Sequence, residues 1–415
     1  MSRKILISFL GSHNCDPCIY TYEDYQSENI EFIQSAIVEK FCAGWQKPDC
    51  IYIFSPEESL TNQKRLEMEW NPAVSHEYIT VPDGKTDKEI WEIFHLIYNI
   101  IQDDDEVLMD ITHGRRTLPM LASSVLQYAK SLKNIHISKI FYGDFEEYYK
   151  NKGQRTKIIP ILNLTAFSDI QDWAIAANDF IHLGSSKKLN KITHKHITPI
   201  LKESQGQDET AQKVRELNKH IENLSLNIIT SRGKQLIEGE DSSRILENLE
   251  HIKQHFIEPL NPILSKLKDS VTGIHNGVNS KENMLSAVEW CIDKLLIQEG
   301  YTLLQEGIIS YFLIKYDDKN QRDFTSAYLN HRFHGDFNIQ LFEEMDTGLI
   351  KELESHFETF NNIDEWSRLF SNITEIRNDI NHGGMTNSAI HSAHFEIKLR
   401  ELYERTKELL TLGTK

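Results

Sequence analysis

Cysteine is scarce: five residues in a chain of 415, an odd number scattered along its length. That suits a reducing cytoplasm rather than a disulfide framework. Long apolar runs are missing as well, since none approaches the roughly 18 residues that a membrane-spanning helix needs. The opening apolar stretch at 5–10 is too short for a signal-peptide core with a cleavage site. The expectation is a cytoplasmic protein without a membrane partner. Positive charge is also in deficit. Lys and Arg number 45 against 62 Asp and Glu, a net charge of −17, which excludes binding to nucleic acid by coating its phosphates with many cations. Any nucleic acid must therefore meet a local basic pocket. Two nucleotide signatures are absent too. The first strand-to-helix loop has only Gly11 where Gly-x-Gly-x-x-Gly would stand, and no Gly-x4-Gly-Lys-Ser/Thr occurs. Nicotinamide dinucleotides and ATP are thus not the expected ligands.

What is present describes a globular protein, 40% apolar and 10% aromatic, with room for two or three domains. Over 1–165, short apolar runs at 4–10, 50–54, 77–81, 106–111 and 135–142 alternate with helical periods at 28–42, 88–102 and 118–132. This alternation predicts a mainly parallel, Rossmann-like α/β domain. The segments 141–149 and 157–164, around a Lys-Gly turn, predict an edge hairpin, and 19–25, rich in Tyr, Thr and Asp, a loop.

From 166 to 281 the composition becomes polar and helical, with helices expected at 167–183, 209–230 and 242–256. From 282 to 415 a small helical bundle is expected. It comprises a long amphipathic run at 283–316 with Trp290, Leu295, Leu296, Tyr301 and Leu304 on its apolar side, an irregular stretch at 317–336, and helices at 337–360, 363–381 and 389–412.

In parallel sheets, ligands gather outside the carboxyl ends of the strands. Two loops fall there: Leu10-Gly11-Ser12-His13, and Asp110-Ile111-Thr112-His113-Gly114-Arg115-Arg116. The second offers the Thr112 hydroxyl, a glycine that admits close approach, two cations, and Pro119 in the first turn of the next helix. Together these predict an anion cradle. Cys15 and Cys18 form a Cys-x2-Cys pair that suggests redox or zinc chemistry. The following residues read as loop rather than helix, however, and no second pair completes four ligands.

Near the end of the chain lies Arg377-Asn378-Asp379-Ile380-Asn381-His382, followed by Gly383 and Gly384. Arg carries a fixed planar cation suited to phosphate, and His exchanges a proton near neutrality. Such a pair can serve RNA cleavage by the neighbouring 2′-hydroxyl. Arg–His spacings of this kind arise by chance about twice in a chain of this composition, and Arg215 with His220 and Arg244 with His251 are two more. The third pair stands apart by its interleaved Asn residues, the amphipathic run before it and the Gly-Gly helix stop after it.

Taken together, the Leu10-Gly11-Ser12 loop, the segment 110–119, the helix over 290–309 and Arg377-Asn378-x3-His382 resemble the CARF-HEPN ribonucleases of type III CRISPR systems. The resemblance implies an N-terminal CARF domain and an all-α C-terminal HEPN domain. The CARF domain would bind a cyclic oligoadenylate, first of all cyclic tetra-adenylate, across a homodimer or higher homo-oligomer. The HEPN domain would cleave single-stranded RNA without metal or other cofactor. Ser12, Thr112, His113, Gly114 and Arg115 would face the ring of phosphates, with Leu10, Gly11, His13 and Arg116 in the same loops. Arg377 and His382 of each subunit would form a composite site, with Asn378 orienting the pair. A ligand-sensing transcription regulator is the alternative, disfavoured by the acidic balance and the lack of a concentrated basic recognition helix.

Overall fold

Runs such as Lys-Ile-Leu-Ile-Ser-Phe and Cys-Ile-Tyr-Ile-Phe-Ser are apolar on both faces, and only a strand covered on both sides can bury them. The computed structural model describes residues 2–70, 74–146, 157–252, 256–315, 318–334, 342, 345–385 and 389–413. The chain divides into two compact units at 171/172.

The first unit runs β1 (Lys4–Phe9), β2 (Cys18–Tyr22), β3 (Tyr25–Ile30), α1 (Ile33–Phe41), β4 (Cys50–Ser55), α2 (Leu60–Glu69), β5 (Ser75–Thr80), α3 (Asp87–Ile100), β6 (Glu106–Asp110), α4 (Thr117–Lys133), β7 (His136–Gly143) and β8 (Ile158–Asn163). The strands form one eight-stranded sheet in the order β3-β2-β8-β7-β6-β1-β4-β5. Within it, β5-β4-β1-β6-β7 are mutually parallel. Alternate residues of each central strand feed opposite cores. Leu6, Ile51, Ile53 and Leu108 pack with Ile33, Ile37 and Leu66 of α1 and α2. Ile5, Ile7, Tyr52, Val107 and Met109 pack with Ile93, Ile97, Ala122 and Val125 of α3 and α4.

The five expected strands and three helices are present, with three differences. The expected loop at 19–25 is a hairpin of β2 and β3, turning at Glu23 with φ +52°. Its Tyr and Thr residues are strand formers whose alternating burial only the sheet supplies. The helix expected from 28 accordingly begins at Ile33, because Tyr25–Ile30 belongs to β3. The hairpin of β7 and β8 is antiparallel as expected, but it lies inside the sheet, since β8 pairs in parallel with β2. Its Lys-Gly turn lies outside the described residues.

The second unit is α-helical. Helix α5 (Ala166–Leu183) enters it, and α6 (Lys187–Glu203), α7 (Glu209–Ile229), α8 (Gly233–Glu238), α9 (Glu240–His251), α10 (Asn261–Ile274), α11 (Glu282–Asp293), α12 (Ile297–Phe312), α13 (Lys319–His334), α14 (Thr347–Glu358), α15 (Ile363–Asn381) and α16 (Phe395–Leu412) follow. One continuous apolar core, from Trp173 to Leu409, runs through it, so the expected boundary at 281/282 falls inside a single core.

The long run at 283–316 is two helices, broken at Leu295 with φ +55° and no Gly or Pro to announce it. Trp290, Tyr301 and Leu304 are buried, whereas Leu295 is 65% exposed at the break. The stretch expected to be irregular contains α13, whose Phe324, Tyr328 and Leu329 are buried. Their spacing is too sparse to outweigh the polar residues around them in sequence. Part of the helix expected at 337–360 lies outside the described residues, and the rest is α14. Among the described residues no helix is long and apolar enough to cross a membrane.

Candidate functional site

Strands β1 and β6 lie side by side, and the next strands of the parallel core flank them on opposite sides: β4, reached from β1 after the β2–β3 hairpin and α1, and β7, reached from β6 through α4. Such a reversal opens a crevice at the carboxyl ends of the two strands. The two loops singled out in the sequence occupy it, around a cavity of about 630 Å³. Gly11, Ser12 and His13 line one side, and Thr112, His113, Gly114, Arg115 and Arg116 the other. The loops nearly touch: a Cβ on Gly11 would stand 3.4 Å from the Gly114 nitrogen. Gly114 itself has φ +93°, and a Cβ there would stand 3.0 Å from the Phe9 Cβ, so only glycine fits without strain. Leu10 differs from expectation. Its side chain is buried in the core beneath the loop, and its backbone bonds Phe54 and the Ser59 hydroxyl.

The loop after β6 is held from below. Asp110 is fully buried and accepts from the Ser8 hydroxyl at 2.6 Å, the Thr112 N–H at 3.0 Å and the Thr112 hydroxyl at 2.6 Å. Ser8 is in turn bonded by Gln34 Nε2 at 3.0 Å. The Thr112 hydroxyl also accepts the Gly143 N–H at 2.8 Å. Thr112 is therefore an internal strut as much as a wall of the cavity. The loop after β1 is held from α2, where Asn62 Nδ2 donates to the carbonyls of Gly11 and His13, both at 2.7 Å.

Burial sets the electrostatics. It raises the Asp110 carboxyl above the usual carboxylate range, against the hydrogen bonds and the nearby His113 that favour its charge. It lowers His113 below the usual imidazole range, against the attraction of Asp110. His113 thus stays neutral, and its Nε2 is buried without a hydrogen-bond partner while its ring lies 5.8 Å from that of Phe145. Arg115 is paired with Asp83 at 3.0 Å. Arg116 is exposed, makes no ion pair among the described residues, and occupies the N-cap position of α4 without capping it. At this helix start the Leu118 N–H bonds the Arg115 carbonyl at 2.9 Å and Pro119 carries no N–H, so the exposed Arg116 guanidinium is the group left open to the cavity. A cation so placed attracts an anion.

The Cys15 and Cys18 thiols also touch this cavity. Burial pushes Cys15 up to about 11 and Cys18 upwards as well, the reverse of what a reactive thiolate requires. Cys18 opens a strand rather than a helix. Among the described residues no group of three or more His, Cys, Asp or Glu is placed to hold a metal ion.

In the second unit, α15 carries Arg377 and Asn378 in its last turn and ends with His382 as C-cap, whose N–H bonds the Asn378 carbonyl at 2.9 Å. Gly383 and Gly384, with φ of +64° and +66°, stop the helix. Asn378 and His382 are exposed one turn apart. Arg377 is half-buried, its Nε is buried without a partner, and it has no ion pair among the described residues. The other Arg–His spacings serve structure. His220 bonds Asp241 at 2.8 Å, together with Asn223 and Asn227, tying α7 to α9, and Arg244 pairs with Glu247.

Residues 5–148 match the family model described as CRISPR system endoribonuclease Csx1, CARF domain. The N-terminal unit is a CARF domain. It is followed by an α-helical unit. A CRISPR-associated protein of Methanocaldococcus jannaschii, MJ1674, is 25% identical over 227 residues, 53% of this chain and 31% of that protein. The chain thus spans about a third of the length of the curated relative it matches. A solved structure, Enterococcus italicus Csm6 bound to cyclic hexa-2′-fluoro-hexa-dAMP, is also similar, with a TM-score of 0.43 and 11% identity, covering 99% of this chain and 94% of that one.

Several residues of the CARF cavity carried no local signal in the sequence. Tyr142 and Phe145 come from the end of β7, and Lys157, which is paired with Asp16, precedes β8. Ser8, Gln34, Asn62 and Asp110 act from beneath the loops. A polar residue inside an otherwise apolar strand, as at Ser8, was the one available sign.

Proposed function

We propose that this chain is an endoribonuclease switched on by a cyclic oligoadenylate, first of all cyclic tetra-adenylate, and that it cleaves single-stranded RNA without metal. In this reading the CARF cavity holds the phosphates of the ring through Arg116, Ser12 and the backbone around Gly114. A ring with two-fold symmetry suits an isologous homodimer, in which each subunit offers one cavity. The part of the helical unit from 282 to 415 is then a HEPN domain, sharing its core with the helices before it. Its Arg377 stabilises charge growing on the phosphate, while His382 moves the proton of the 2′-hydroxyl or of the leaving 5′-oxygen and Asn378 orients the pair. The products are a 2′,3′-cyclic phosphate and a 5′-hydroxyl, and DNA, which lacks the 2′-hydroxyl, is spared.

The observation that carries this reading is a guanidinium at the end of α15 with a buried, unpartnered Nε and no carboxylate paired to it among the described residues, one turn from an exposed histidine. A cation left so is satisfied by a substrate phosphate. Activation follows from the ring's preference for one dimer arrangement over another, and is limited by that preference. The test is cleavage of a fluorescent single-stranded RNA in chelator, with and without cyclic tetra- and hexa-adenylate, alongside His382→Ala. Cleavage that depends on a ring and is lost in the variant is expected with ring binding intact. Cleavage retained by His382→Ala removes the site assignment, and none with either ring removes the ribonuclease reading.

A further inference from the structure

The chain beyond α15 returns to the turn that carries Arg377 and His382. Asp379, between the two, accepts the Ile390 N–H at 3.0 Å through Oδ2. A Cβ on Gly384 would stand 3.4 Å from the Ala389 Cβ. One hydrogen bond thus ties Ile390 to the last turn of α15, and Ala389 lies close to Gly384 just beyond that turn. His391 is one Cα step further, about 3.8 Å.

His391 is exposed, and its Nδ1 accepts the Ala393 N–H at 3.3 Å, capping the single turn Ser392–His394. An accepting Nδ1 carries a lone pair, so the neutral ring holds its proton on Nε2. That Nε2–H makes no hydrogen bond among the described residues; the one ring near it, His394, has its centroid 6.0 Å away. A donor with no partner among the described residues is therefore carried by the segment that Asp379 holds, and Asp379 and His382, three residues apart, share one side of the helix end.

We propose that His391 is a further substrate-binding residue of the RNA site, its Nε2–H donating to a non-bridging oxygen of the scissile phosphodiester while Nδ1 stays on the Ala393 N–H. The inference rests on the ribonuclease reading. It assigns His391 no proton transfer. As the 2′-oxygen–phosphorus bond forms and the phosphorus–5′-oxygen bond breaks, the proton leaves the 2′-hydroxyl and one arrives on the 5′-oxygen by way of His382 and its two-fold mate. With Nδ1 accepting from the Ala393 N–H, the Nε2–H is the donor that helps hold charge on the phosphoryl oxygens.

A merely structural cap needs only an acceptor, and Asn and Asp both supply one. His391→Asn keeps the cap and restores an N–H donor; His391→Asp keeps the cap, has no donor and repels phosphate. With the activating ring present, kcat/KM for single-stranded RNA is expected to fall about 100-fold or more in His391→Asp and to stay within about 10-fold of wild type in His391→Asn, the scale of losing one oxyanion donor. Ring binding is expected to be unchanged in both. A His391→Asp variant within a few-fold of wild type, or the two variants falling together, overturns the inference. If that happens while wild type cleaves and His382→Ala does not, the ribonuclease reading survives alone. A wild type inactive with both rings removes the reading and His391's role with it.

Discussion

Replacing Asp110 tests whether the CARF cavity is built from beneath. Its carboxylate is the acceptor for the Ser8 hydroxyl and for both the N–H and the hydroxyl of Thr112. In Asp110→Ala the two hydroxyls can rotate their protons towards other acceptors, while their oxygens keep accepting from Gln34 Nε2 and the Gly143 N–H. The Thr112 N–H cannot turn. One buried donor without an acceptor costs about 1–3 kcal/mol, and the void left by the carboxylate adds about 1 kcal/mol. Relief from burying a carboxyl whose ionisation is disfavoured there offsets part of this. A net loss of about 2–3 kcal/mol remains, a fall in Tm of roughly 4–12 °C for a unit of this size. Asp110→Asn keeps the shape. Its amide oxygen can accept from Thr112 and its amide nitrogen can donate to Ser8, so a loss below about 1 kcal/mol is expected. Calorimetry of the three proteins, with titration of cyclic tetra-adenylate, measures both consequences: the alanine variant is destabilised and binds the ring weakly, and the asparagine variant is close to wild type in both. If asparagine costs as much as alanine, charge rather than hydrogen bonding holds the loop, and the reasoning fails.

Gly114→Ala combines a left-handed backbone with a Cβ 3.0 Å from Phe9; a loss of about 2–4 kcal/mol and of ring binding is expected by urea titration and calorimetry, and wild-type behaviour in both would refute it. Arg116→Ala removes an exposed cation without an ion-pair partner among the described residues, so stability should change by less than about 0.5 kcal/mol, while ring affinity falls about 10-fold with a shallower salt dependence. Unchanged affinity at low salt would show that the ring lies elsewhere. The lowered pKa of His113 means that its contribution to stability is fully present above the unfolded value of about 6.5 and is lost as pH falls through the folded value. Asp110 has the opposite sign: its contribution is present below about 3.9 and is lost as pH rises through its raised folded value. Urea midpoints of His113→Asn between about pH 5 and 7.5 should lack the acid-side decline attributable to the histidine; an unchanged slope would contradict that attribution.

The parallel core of the CARF domain was legible because β1, β4 and β6 are buried on both faces, and such strands must be continuously apolar. Both loops that line the cavity could be placed from this alone, since the carboxyl ends of parallel strands follow from the order of strand and helix. The Gly383-Gly384 stop of α15 was equally legible, because a helix ended by left-handed backbone selects glycine. What misled was amphipathic or polar sequence whose burial depends on a distant partner. The Tyr- and Thr-rich stretch after Cys18 becomes a strand only beside β8, and the polar stretch from 319 becomes α13 only around Phe324 and Leu329.

Local chemistry is written in the residues themselves: a planar cation and a titratable ring at Arg377 and His382, a permissive backbone at Gly114, and too little positive charge for any broad nucleic-acid surface. Which of those groups are free to act is decided by tertiary contacts. Arg115 is neutralised by Asp83 while Arg116 has no ion pair among the described residues, the thiols of Cys15 and Cys18 are raised by burial, Thr112 is spent on Asp110 and Gly143, and Ile390 is tied back to α15 by Asp379. Sequence specifies the inventory of donors, acceptors and charges, but whether each is paired, buried or open depends on neighbours tens of residues away.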